Sequence, residues 1–120
     1  MPESIDALSV SDVVRRAVAI VDADDPITPE LLVAFEDDDR AAVGLGAPLW
    51  DELRTTAEGL APEATSGATA TAAAVAFFLS TQPEGGADRA ATIRAAVRVA
   101  WEGNTPDHVS GWLAAQGLED

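Results

Sequence analysis

The apolar residues of this chain recur at helical spacing almost from end to end, and period-two alternation is nearly absent. Val10, Val13, Val14, Ala17, Val18 and Val21 trace an i, i+3, i+4 stripe. That spacing predicts an amphipathic helix despite the β-branched side chains, which alone would suit a strand. Ser9 or Ser11 is placed to cap it, Asp12 complements its dipole and can pair with Arg16 one turn on, and Asp24, Asp25 and Pro26 end it. Thr28, Pro29 and Glu30 then form a second start signal, a capping hydroxyl followed by proline at the first helical position and an acid in the first turn. Leu31, Leu32 and Phe35 supply its buried face.

Ala41 to Ala47 carries two glycines and reads as a loop or short turn. Pro48 opens a third helix, with Leu49, Trp50, Leu53, Ala57 and Leu60 on one face and Asp51, Glu52, Arg54 and Glu58 on the other. Pro62 begins a segment whose first turn, Thr65, Ser66 and Gly67, favours helix poorly. The helix proper is expected over 68–79, ATATAAAVAFFL, which is apolar on every side. Such a helix belongs in the middle of a bundle, so the core should pack around Val75, Phe78 and Leu79. The run is about half of the roughly 20 residues a bilayer requires.

A proline and a glycine pair break the pattern between Leu79 and Asp88. Asp88 caps the next helix, whose Ala90, Ile93, Val97, Ala100 and Trp101 face inward while Arg94, Arg98 and Glu102 line an outer stripe; Gly103 and Asn104 end it. Thr105, Pro106 and Asp107 start a last short helix, anchored by Val109, Trp112 and Leu113 and stopped by Gly117. The expectation is an all-α, single-domain bundle of five to six short helices, with residues 1–8 as a flexible arm. No repeat of fixed period is present, and the tetratricopeptide spacing does not appear in the last two helices.

Charge changes this picture most. The 120 residues hold 21 Asp and Glu against 7 basic residues, a net charge of −14, and every basic residue is arginine. This is the composition expected of a GC-rich genome or a halophilic cell. It is equally the composition of a surface that steers toward a basic partner and away from nucleic acid and anionic membrane. Phosphate binding needs clustered Lys and Arg, and the only local excess is Arg15 with Arg16. The acid-containing N-terminus has no secretory pattern, so a cytoplasmic protein is expected.

Candidate chemistry is thin. There is no cysteine, lysine or tyrosine, and His108, the one histidine, falls at a helix start where the dipole opposes its protonation. Walker, dinucleotide and EF-hand patterns are absent. A non-enzymatic protein with no cofactor and no bound metal is therefore expected. The carboxylates Asp22, Asp24 and Asp25 should splay away from Asp37, Asp38 and Asp39 into solvent, since six like charges together would be costly. Candidate partner-binding residues are the acidic run Glu36, Asp37, Asp38 and Asp39, and the tryptophans Trp50 and Trp112 as apolar anchors. The composition fits an interaction or regulatory module, of the inhibitor or immunity type, working against a basic protein. An accessory subunit that completes a ligand or enzyme site with another chain, and a self-associating structural protein, are the alternatives.

Overall fold

A computed structural model describes residues 9–21, 28–40, 47–60, 67–81, 88–102 and 104–118. Within them the chain is all helical: α1 (Val10–Val21), α2 (Thr28–Phe35), α3 (Ala47–Leu60), α4 (Gly67–Thr81), α5 (Arg89–Trp101) and α6 (Asp107–Ala115). The aspartates at 22, 24 and 25, the loop at 41–46, the turn at 62–66, the break at 82–87, Gly103 and the N-terminal arm lie outside the described residues.

Helix α4 is the axis of the bundle and touches each of the other five helices. It runs one residue earlier and two residues later than the expected 68–79. Its small residues bring neighbours close: a Cβ on Gly67 would lie 2.6 Å from Trp112 Cβ and would overlap the His108 carbonyl oxygen, so α6 packs directly on the first turn of α4. Glycine is required there for proximity, not for a special backbone conformation. Thr71 is fully buried and stays satisfied by donating its hydroxyl to the Gly67 carbonyl at 2.6 Å.

One core cluster runs through all six helices and includes Val10, Leu31, Leu49, Leu53, Val75, Leu79, Ile93 and Val109. The stripe read in α1 is the buried one, with Val10, Val13, Val14, Ala17 and Val21 fully enclosed. Phe78 is a correction: it is half-buried and packs against the rim of the cluster, leaving Val75 and Leu79 as the enclosed centre of α4.

The start of α1 is fully accounted for. Ser9 and Asp12 form a reciprocal cap, with the Asp12 N–H donating to Ser9 Oγ and the Ser9 N–H to Asp12 Oδ2, both at 3.1 Å. The next two orphan donors, the N–H groups of Val10 and Ser11, reach the carbonyls of Arg40 and Asp38, each at 2.9 Å. At the far end of α1, Arg89 donates to the carbonyls of Ile20 and Val21 at 2.7 Å each, a cation on the negative end of the dipole.

Caps also close both ends of α5 and the end of α6. The Asp88 carboxylate accepts from the Ala91 N–H as expected. The left-handed residue that ends α5 is Glu102, at φ 49° and ψ 41°. Gly117, at φ 72°, ends α6 in a Schellman turn: the Gly117 N–H donates to the Ala114 carbonyl and the Leu118 N–H to that of Leu113, with Leu113 and Leu118 both buried. Arg94 departs from the expected outer stripe. It is half-buried and donates to the Leu118 carbonyl at 3.1 Å, tying α5 to the chain after α6.

Candidate functional site

The six candidate partner residues fall on three separate parts of the surface. Glu36 to Asp39 follow α2, which stops at Phe35 as its dipole requires once four acids arrive at the negative end. The same segment lies against the start of α1, where that charge is favourable. Glu36, Asp37 and Asp39 are exposed, whereas Asp38 is half-buried and structural. The Arg40 guanidinium bridges two carboxylates, with Nη2 at 2.6 Å from Asp38 Oδ2 and 2.7 Å from Glu52 Oε1, so α2's exit is clamped to both α1 and α3. The Arg40 side chain's hydrogen bonds hold the Asp38 carboxyl below its ordinary value, and the bonds it donates to Asp38 and Glu52 raise Arg40. Asp12 is likewise lowered, chiefly by the Ser9 backbone N–H, and its ion pair is with Arg15, at 3.4 Å.

Trp50 lies on α3 two residues before Glu52, and positions two apart on a helix face different ways. It therefore turns away from the acidic corner into an aromatic cluster. Its ring meets Trp101 edge-on at 5.2 Å and 84°, and Phe77 tilted at 5.6 Å and 34°. Trp112, on α6, is half-buried over Gly67. Neither tryptophan is a fully exposed anchor.

Beside Trp50 the three helices α3, α4 and α5 leave a notch of about 30 Å³. Trp50 and Trp101 line its sides, and Ala57, Ala70 and Ala73 leave the space that larger side chains would fill. Pro106 before α6, His108 in its first turn, and Arg54 and Glu58 from α3 complete its lining. Arg54 is held between Asp51 at 3.1 Å and Glu58 at 3.5 Å, which raises its pKa, first through the Asp51 hydrogen bond. The notch escaped the sequence reading because an alanine stripe at helical spacing looks the same whether it meets a flush neighbour or a gap. The only hint in the chain is the pairing of small residues at 70 and 73 with two tryptophans on other helices.

The remaining surface is acidic. No described carboxylate is buried, and the buried polar residues are Ser11, Thr69, Thr71, Ser80 and Thr92. All seven arginines are engaged within the chain: Arg15, Arg40 and Arg54 with carboxylates, Arg89 and Arg94 with carbonyls, and Arg16 and Arg98 in further interactions. Among the described residues no three histidine, aspartate or glutamate side chains are grouped to hold a metal, and no helix is long and apolar enough to cross a membrane. The chain matches no protein-family model, no curated protein and no solved structure.

Proposed function

We propose that this chain is a non-enzymatic interaction module that docks a basic protein partner. The observation that carries the reading is that every arginine is engaged within the chain, five of them by its own carboxylates and carbonyls. Arg40, Arg89 and Arg94 hold separate elements together, Arg15 and Arg54 pair within their own helices, and the described carboxylates, none of them buried, outnumber the arginines at the surface. Such a surface raises the encounter rate with a basic protein by about 10 to 1,000-fold and repels polyanions. Its reach is about one Debye length, roughly 8 Å at physiological salt, so close apolar contact must complete the complex.

Three exposed acids, Glu36, Asp37 and Asp39, are free to serve this role without loosening the Asp38 to Arg40 clamp. Co-purification from the native host, with the captured protein identified and its affinity remeasured in purified form, is the test. A basic partner whose affinity falls steeply with salt, and falls again when Glu36, Asp37 and Asp39 are neutralised together, is the expected result. A partner held equally at molar salt and by the neutralised variant would overturn the reading. Recovery of a catalytic subunit would favour an accessory role instead, and recovery of the chain alone would favour self-association.

A further inference from the structure

Helix α2 buries Leu31 and Phe35 and turns Glu30, Val33 and Ala34 outward. Val33, at 63%, is the more open of the two large hydrophobic residues exposed among the described residues, the other being Val99. Glu30 stands one turn before Val33, and Glu36, Asp37 and Asp39 follow the helix end about one turn after it; all four acids are exposed. We infer that this outward face of α2 is where the chain docks its partner, and that the occupant is a basic amphipathic helix. That helix sets one aliphatic side chain on Val33 and Ala34, between arginines or lysines one turn to either side. The inference rests on the reading of the chain as an acidic docking module and specifies its contact face and the segment that the face takes.

Charge complementarity names the occupant. Among the described residues no arginine is paired with any of these four acids, because the ion pairs run to Asp12, Asp38, Asp51, Glu52 and Glu58 instead. Helix α2 also has no basic residue in its last turn, so the negative end of its dipole meets Glu36 and Asp37 with no cation of the helix's own. Arg40, the nearest cation along the chain, is turned back onto Asp38 and Glu52. A partner's cations relieve this repulsion. A second copy of the chain, with a net charge of −14, and a phosphate-bearing surface would both add to it.

Shape and spacing give the occupant its form. The 8 residues of α2, at roughly 1.5 Å each, offer a face that two or three turns of a partner helix cover. Acids one turn to either side of Val33 match basic residues at i−4 and i+4 around an aliphatic one on the partner. Ala34, beside Val33, carries only a methyl group and lets the partner's backbone come near. Val33 thus supplies the apolar centre of the contact and the acids its polar rim, which is the general anatomy of a protein interface.

The probes are helical peptides with arginines one turn to either side of a central leucine or serine, followed by fluorescence anisotropy against the full chain at low salt. The leucine peptide should bind about fivefold tighter than the serine peptide, and its addition should shift the Val33 methyl signals. Val33→Ser, a change at an open position, should remove that preference and leave the serine peptide's affinity unchanged. Neutralising Glu30 and Asp37 together, as Glu30→Gln and Asp37→Asn, should weaken both peptides about tenfold. Glu102→Gln with Asp107→Asn removes the same charge from the end of α5 and from α6, and should weaken them far less. A leucine preference that survives Val33→Ser, or equal losses from the two neutralised pairs, would overturn the α2 face and leave the acidic reading standing. No binding by either peptide at low salt would overturn both.

Discussion

Replacing Gly67 with alanine tests how closely α4 and α6 approach. Helix propensity alone predicts a gain, because alanine is favoured over glycine by about 1 kcal/mol inside a helix. The structure predicts a loss. The added methyl would stand 2.6 Å from Trp112 Cβ and overlap the carbonyl oxygen of His108, and both are anchored in the backbone of α6, not at the end of a flexible side chain. Relief requires α6 to move off α4 or the first turn of α4 to open, which also disturbs the Thr71 bond to the Gly67 carbonyl. Overpacking of this kind costs about 1–3 kcal/mol. With the propensity gain of about 1 kcal/mol offsetting part of it, the net loss is about 0–2 kcal/mol, or a fall in Tm of about 4 °C for each kcal/mol. Gly111→Ala is the matched control, since it lies within α6, is exposed and has no atom within 4 Å of the added methyl. It should gain up to about 1 kcal/mol. Urea unfolding followed by circular dichroism measures both variants. A Gly67→Ala protein that gains stability as Gly111→Ala does would refute the close approach of α6 to α4.

Leu79→Ala should cost about 2–5 kcal/mol, and Phe78→Ala less, because Leu79 is fully enclosed while Phe78 sits at the rim; urea midpoints in the reverse order would mean that the core is centred elsewhere. The Asp38 carboxyl is lowered in the folded chain, so its contribution is fully present above its ordinary value of 3.8 and is lost as pH falls through the folded value below that. Acid titration of stability should accordingly be shallower for Asp38→Asn than for the parent below pH 3.8, and identical profiles would remove the Arg40 clamp from the account. Thermal melts should find the protein folded at low salt, with a modest rise in Tm as salt screens the surplus carboxylates. A chain that folds only in molar salt would instead mark the acidity as an adaptation to a saline cell.

Helix existence and much of the capping were legible in the chain because the signals are local. The valine stripe of α1, Asp88 before α5 and Gly117 after α6 each act within a turn or two of themselves, and all three do what their spacing implied. The apolar run of α4 also announced its central place, since a helix with no polar face has nowhere else to go. Phe78 was misplaced by the same reasoning: an all-apolar helix hides which of its sides meets the thinnest cover.

What only the tertiary structure decided is where the charged and polar groups find partners. The acids after α2 looked like a solvated exit, yet Asp38 and its neighbour Arg40 supply carbonyls to the first N–H groups of α1 and an ion pair to α3. Arg89 meets carbonyls 68 and 69 residues away, and Arg94 one 24 residues away. Hydrophobic periodicity reports which side of a helix faces inward, and local sequence reports how it starts and stops. Neither carries the orientation of one helix against another, and the bonds across helix ends and the notch beside Trp50 depend on that orientation alone.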